Sequence, residues 1–374
     1  MLKKGFLYLP AFFIVVSPFI YIEKALDPVL VPQFIAFSLL ILLLALYFRK
    51  EEFKLNLSVL LFGGYVLFNI LSAYKAVNVS ESYYVISKVT LEFFFLAFTL
   101  NWISKIGLEN GLLTFCKVTQ IACLGILISG FYQLLKTPIE FSEENSMYLI
   151  TSFLAHKNLL ASILFMLLPW QIYGIIKTKS YWKAVSFVNT ICCVFFIAIL
   201  QTRAVWLAFV FAGLLTLLLA FINRLRRNSK TQTKSNRKLY FYSACVAIGF
   251  LIISIGSYKN LDSRTKERVS AAFKLNELES NPHLYTYKMR FLIWKKTFRM
   301  FEDHPLSGVG AGNWNVNLPK YGLDDLELDT AQGTQHYNRP HNDFLWVLSE
   351  IGLIGFLFYI GFFIVAWISS IRSI

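Results

Sequence analysis

Residues 339–360 read "RPHNDFLWVLSEIGLIGFLFYI": five polar or rigid residues, then a run that would dissolve in lipid. Pro340 opposes backward extension of a helix, so a helix is expected to begin at His341 or Asn342. The apolar run that follows, to about residue 370, is long enough to cross a bilayer. A membrane segment that starts on a histidine, an asparagine and an aspartate sets polar chemistry at the membrane surface. The rest of the chain narrows down which chemistry.

Of the 374 residues 56% are hydrophobic and only 16% are charged, and the mean hydropathy is +0.55. A soluble domain carries about 25% charged residues, so lipid must take up the surplus apolar surface. Runs long enough to span occur at about 5–22, 29–48, 56–74, 82–103, 111–135, 152–176, 184–201, 204–223, 239–257 and 343–370. The first has no small-x-small site before Glu23 and is expected to be a retained helix, not a cleaved signal. The sequence therefore predicts an all-α polytopic membrane protein of about ten transmembrane helices. Residues 1–257 carry helices one to nine, 258–342 form one large extramembrane loop, and 343–374 hold the last helix and a tail.

The net charge of +14 follows this topology. Basic residues collect in alternate loops, at Lys3 and Lys4, Arg49 to Lys54, Lys105, Lys177 to Lys183, the run "NRLRRNSKTQTKSNRK" at 223–238, and Arg372. Lysine and arginine in short loops mark the cytoplasmic side, so both termini are expected to be cytoplasmic and 258–342 to face outward. The basic run has no interleaved aromatics, and a nucleic-acid partner is excluded in favour of topology. Cys116, Cys123, Cys192, Cys193 and Cys245 all fall in apolar spans without metal-ligand spacing. They read as small core residues.

In the outward loop, "TYKMRFLIWKKTFRMF" (286–301) has helical periodicity, and an amphipathic helix is predicted over about 284–302. Phe291, Trp294, Phe298 and Phe301 form one stripe and Lys288, Lys295 and Arg299 another. That pattern fits a helix lying in the membrane interface, next to membrane lipids, and equally an ordinary packing helix. The following "DHPLSGVGAGNWN" (303–315) breaks any helix. Its alternate glycines could offer backbone N–H groups to a phosphate, although no strand precedes them. Asp324, Asp325, Glu327 and Asp329 could hold a divalent ion, but a solvated acidic loop is the commoner reading, and no metal site is assigned.

Three ionisable residues stand out at membrane depth or its edge. Arg203, in "ILQTRAVWLAF", sits where two apolar runs meet with almost no loop; it is either a snorkelling helix-end arginine or a fixed guanidinium for an anion. Arg290 lies among Lys288, Lys295 and Lys296 on the amphipathic helix, as one more solvated cation or as an anion contact. His341 is either structural or a general base at a helix N-terminus, whose field disfavours imidazolium. On a continuous helix, Leu348, Gly352 and Gly355 would share its face to within about 40°, letting another helix pack closely. Asn342, His304 and Asn158 (in "HKN", 156–158) are further polar candidates beside these, and Glu350 is expected to pair with a buried polar group.

With those residues in hand, the chain resembles the O-antigen ligase and polymerase family of bacterial envelope enzymes. The family's motif is His, Asn/Ser/Gln, nine residues, Gly, two residues, Gly, then Thr/Ser. Here His341, Asn342, Gly352 and Gly355 match, and Phe356 replaces the final hydroxyl residue. "HPLSGVGAGNW" (304–314) is similar to the family's turn before this motif. The resemblance implies a membrane glycosyltransferase of the bacterial inner membrane, with the 258–342 loop in the periplasm. Its donor would be a glycan on polyprenyl (undecaprenyl) diphosphate. Its acceptor would be lipid A-core in lipopolysaccharide biosynthesis or, for a polymerase or protein O-oligosaccharyltransferase, another glycan or a protein. It further implies that Arg203 and Arg290 hold the diphosphate, that His341 orients or deprotonates the acceptor, and that Asn342, Lys288, His304 and Asn158 contact substrate. No cofactor or metal is implied. A transporter or flippase would instead show paired broken helices in two inverted halves, a symmetry absent from this sequence.

Overall fold

The computed structural model describes chiefly residues 30–49, 54–136, 149–154, 156–225, 285–322 and 337–372, with a few single residues elsewhere. Nine helices of the described residues carry the fold. They are α1 (Leu30–Phe48), α2 (Leu57–Ser72), α3 (Val79–Ile106), α4 (Leu108–Lys136), α5 (Lys157–Lys177), α6 (Ser180–Ile199), α7 (Arg203–Leu225), α8 (Tyr285–Asp303) and α9 (Asp343–Arg372). Seven helices, all but α7 and α8, are long and apolar enough to cross a membrane, and the apolar stretch of α7, Ala204–Thr216, is shorter. No strand occurs among the described residues. Of the expected span at 5–22, residues 13, 15–20 and 22 are described, with a 3-10 turn at Ser17–Phe19; the span at 239–257 and the acidic run at 324–329 lie almost wholly outside the described residues.

The chain forms two compact units, one of Met1–Tyr47 and Trp102–Lys266, the other of Phe48–Asn101 and Glu267–Ile374. In the first, α4, α5 and α6 pack around Ile126, Leu160, Leu164, Phe196 and Ile197, all almost fully buried. Small residues let these helices close up, because lipid supplies no hydrophobic drive between them. A Cβ at Gly174 would run into Ser186 and Gln120, and one at Gly130 would meet the Phe196 ring at 3.0 Å. The same seam is polar: Asn189 donates to the Gln120 carbonyl at 3.0 Å and to the Gln171 Oε1 at 3.2 Å. Polar links across helices hold register where apolar contacts alone could slide.

In the second unit, α9 packs along α2. Phe68 stacks with Phe358 at 5.6 Å, Tyr65 meets Tyr359 at 5.3 Å, and Phe62 meets Phe362 at 5.3 Å. Gly64 leaves room for the Phe358 ring, and a Cβ at Gly355 would lie 2.9 Å from the Phe68 Cβ. Asn56 starts α2 by accepting from the Val59 N–H at 2.9 Å, a standard N-cap.

Asn189→Leu removes both donations of that amide and leaves Gln171 Oε1 without them. The expected loss is about 1 kcal/mol, near the values measured for interhelical hydrogen bonds in membranes, read as a lowered thermal midpoint in detergent. The double variant Gln171→Leu/Asn189→Leu is expected to recover part of it, because both ends are then apolar.

Candidate functional site

The helix that follows His341 is not continuous. Gly352 has φ 72 and ψ −179, outside helical values, within an otherwise helical α9. In an unbroken helix the Leu353 N–H would bond the Ser349 carbonyl; here it donates to the Pro305 carbonyl at 2.8 Å. The Ser349 and Glu350 carbonyls accept instead from Val309 (2.9 Å) and Gly310 (3.0 Å). The glycine-rich turn is thus stitched backbone-to-backbone into the break. A Cβ at Gly352 would collide with the Leu306 carbonyl, and one at Gly308 with the Glu350 carbonyl. Gly308, Gly310 and Gly312 all have positive φ, of 65, 103 and 72, a conformation that strains other residues.

Every N–H from Gly308 to Trp314 has an acceptor. Beyond the two just described, Gly308 donates to the His304 carbonyl at 2.9 Å and Asn313 to the Gly310 carbonyl at 3.1 Å. Ala311 donates to Ser72 Oγ at 3.0 Å. Gly312 and Trp314 donate to the two carboxylate oxygens of Glu350, at 2.9 and 3.0 Å. Asn313 is fully buried and bridges to the start of α3, accepting from the Asn78 N–H at 2.6 Å and donating to Ser82 Oγ at 2.9 Å. The expectation that the alternate glycines present free N–H groups to a phosphate is therefore corrected. The glycines serve close backbone approach, and the turn is a structural plug.

Against this plug lies α8. Met289, Ile293 and Met300 form its buried face and pack with Val309, Trp314 and Leu318. The opposite face is open: Lys288, Phe291, Lys295, Phe298 and Arg299 are exposed. The aromatic stripe expected from periodicity is split, with Phe291 and Phe298 outward and Trp294 half-buried. Trp294 donates from its indole to the Pro340 carbonyl at 2.9 Å. Arg290 lies within about 40° of Trp294 around the helix, on the flank that meets the residue before His341. Lys288 is about 160° from Arg290 on the same helix, so the structure does not bring these two together.

His341 stands outside α9. Its φ of 56 is left-handed, and Asn342 is the residue that starts the helix, its side-chain oxygen accepting from Phe344 (3.1 Å) and Leu345 (3.2 Å). The expectation that His341 shares a helical face with Leu348, Gly352 and Gly355 is corrected on two counts: the histidine precedes the helix, and the helix breaks at Gly352. The carboxamide oxygen of Asn342 is committed to the cap, which leaves less of that side chain for substrate than expected. Partial burial, and then the positive charges of Arg290 and Arg339, push the His341 pKa below its usual value, with Asp343 opposing them. The ring is thereby biased toward the neutral form that can accept a proton.

The other candidates divide between the units. His304 closes α8 through its backbone and its side chain is exposed. Asn158 and Arg203 belong to the first unit. His156 caps α5 by accepting from the Asn158 N–H at 3.0 Å. Thr202, just before Arg203 at the start of α7, donates to Asn158 Oδ1 at 3.1 Å. Two helix N-termini are thus tied side by side, bringing Asn158 and the Arg203 backbone together. Trp314 and Asn313 look like ordinary aromatic and loop residues until the turn is folded, and Trp294 stood in the sequence only as one member of an aromatic stripe. Among the described residues, no group of three His, Cys, Asp or Glu could hold a metal ion.

These features define a polytopic helical membrane protein with a histidine at the head of a membrane-crossing helix and, on α8, an arginine one turn from the indole that holds the residue before that histidine. The model of a family described as O-antigen ligase matches residues 188–360, a stretch that contains Arg203, α8, the glycine turn, His341 and the break. Over that stretch, a little under half of the chain, the protein is similar to the O-antigen ligase family. No curated protein and no solved structure matched the chain.

Two outcomes follow from this geometry. Gly352→Ala forces a positive φ on a residue with a Cβ, at a cost of roughly 1–3 kcal/mol, read as a lowered thermal midpoint. For His341, a pKa depressed in the folded state means the neutral ring prevails down to below 6.5. Its stabilising contribution is present above that range and is lost as the pH falls through the depressed value. Arg339→Gln should move the midpoint up toward 6.5, high salt should do the same, and Asp343→Asn should move it down. Titration of isotope-labelled histidine by NMR in micelles reads all three.

Proposed function

We propose that the protein transfers a glycan from a polyprenyl (undecaprenyl) diphosphate carrier to an acceptor hydroxyl, and that the acceptor is the lipid A-core of lipopolysaccharide. The similarity to the O-antigen ligase family supports an enzyme of ligase or polymerase type that acts on lipid-linked glycans with glycan acceptors. The observation that carries the finer reading is the bond from Trp294, one turn from Arg290 on α8, to the Pro340 carbonyl before His341, at the surface end of a membrane helix. A lipid-linked diphosphate must present its sugar at that depth. In this reading the acceptor oxygen attacks the anomeric carbon and His341 takes its proton. The bond from that carbon to the diphosphate oxygen breaks, and the electron pair leaves with the lipid diphosphate. Arg290 balances the growing charge on the leaving group. A diphosphate leaves readily, so positioning and positive charge carry most of the load.

The topology that accompanies this function puts both termini in the cytoplasm, with the site facing the periplasm from the inner membrane. The placement of basic residues supports it through the positive-inside rule. Lys288 and His304 are assigned as polar contacts to the glycans, outside the reacting centre. No metal has a part in the step.

Purified protein, a polyprenyl-diphosphate glycan and lipid A-core acceptor, with EDTA present, test the proposal. His341→Ala is expected to lower turnover by about 10²–10⁴-fold, the usual contribution of a positioned base. Arg290→Ala is expected to weaken donor binding by roughly tenfold or more, as for the loss of a charged hydrogen bond. Full transfer by His341→Ala, or transfer abolished by EDTA, would sink the mechanism. Efficient transfer to a growing glycan but none to lipid A-core would replace the acceptor.

A further inference from the structure

Glu350 is a carboxylate set nine residues beyond His341, within an apolar span, and it is buried. An acidic residue in such a place needs strong partners. Beside the Trp346 indole of its own helix, two backbone donors meet it from outside that helix: the Gly312 N–H on Oε2 at 2.9 Å and the Trp314 N–H on Oε1 at 3.0 Å. Both oxygens hold the same turn. From there the contacts run on in one direction. The Trp314 indole, fully buried, donates to Thr297 Oγ1 on α8 at 3.0 Å. One turn back, Thr297 Oγ1 donates to the Ile293 carbonyl at 2.7 Å, and next to Ile293 the Trp294 indole donates to the Pro340 carbonyl at 2.9 Å. Helix α8 is therefore gripped at two indoles, one bound to the residue before His341 and the other to the turn that Glu350 holds.

We propose that Glu350 is a positioning residue: by holding Gly312 and Trp314 it fixes the seat of α8, and with it the placement of Arg290 against His341. This rests on the preceding assignment of Arg290 and His341 as the reacting centre, and it adds a residue that touches neither substrate. A glutamate suits the role for a geometric reason. The two N–H groups it serves are two residues apart and converge on one point, and a carboxylate offers two acceptor oxygens there. Glutamine offers one oxygen and one NH2, so one of the two N–H groups would face a donor. Aspartate keeps both oxygens on a shorter arm.

The test follows the indole N–H signals of the protein's eight tryptophans by NMR hydrogen exchange in micelles, alongside steady-state transfer. In Glu350→Gln the exchange of the Trp294 indole is expected to quicken by tenfold or more. Turnover should fall by about ten- to a hundredfold, as expected when reacting groups shift by about an ångström, while the donor KM changes little. Glu350→Asp should restore part of both. Trp294 sits at the far end of the chain of contacts, so a merely local effect at the turn would leave its exchange unchanged. Unchanged Trp294 exchange in a folded Glu350→Gln protein overturns the proposal, and so does Glu350→Asp behaving no better than Glu350→Gln. Should Glu350→Gln fail to fold, Thr297→Val removes the acceptor of the Trp314 indole and keeps the shape. It is expected to loosen Trp294 in the same direction, and no loosening there also overturns the proposal. Loosened Trp294 with undiminished turnover would support the grip of Glu350 on α8 and count against Arg290 and His341 as the reacting centre.

Discussion

A membrane helix keeps its backbone hydrogen bonds within itself because lipid offers no replacement. At Gly352, α9 surrenders that closure, and the carbonyls of Ser349 and Glu350 turn to a segment some forty residues upstream. Such a break persists only if the freed groups find partners of equal quality. The turn at 305–314 supplies them: Val309 and Gly310 donate, and Pro305 accepts from Leu353. The break and the turn are one structure, and neither would be stable alone. Buried backbone groups left unpaired cost about 1–3 kcal/mol each, enough in sum to undo a membrane domain of ordinary stability.

That constraint dictates the residues around it. Three glycines with positive φ bring the turn's backbone against α9, Ala76 and Glu81 without a side chain between them. Ser72, Asn78 and Ser82 reach in from α2 and α3 to satisfy what remains. The turn then offers a rigid wall on which α8 seats Met289, Ile293 and Met300. The seat of α8, which carries Arg290, thus leans on a backbone break deep in α9 and on two tryptophans.

The membrane helices were legible in the sequence because hydropathy and length depend only on composition along a run. The amphipathic helix was legible too, within a residue or two at each end, since periodicity survives folding. Periodicity does not say which face points inward, and here the sulphur-containing and aliphatic face is buried while Phe291 and Phe298 stay outside. The break at Gly352 was hidden by the assumption behind every helical wheel, that the helix is continuous. The turn's purpose was hidden by distance: Ala311 and Ser72, which bond, are 239 residues apart, and without that partner its glycines resemble a phosphate loop. Glu350 was visible only as a charge that needed some partner.

The left-handed backbone of His341 has a consequence for its chemistry. Had the histidine been the helix cap, its ring would serve the first turn of α9, as His156 does for α5 by accepting the Asn158 N–H. Asn342 takes that duty instead, and the imidazole is left free of it. A residue with a Cβ held at positive φ carries strain, and Pro340 before it and the cap after it keep it there. The field at the ring is set from two sides, by Arg290 on α8 and Arg339 on the same segment. Those cations add to partial burial in lowering the His341 pKa, against Asp343, so screening the charge on Arg290 would raise it.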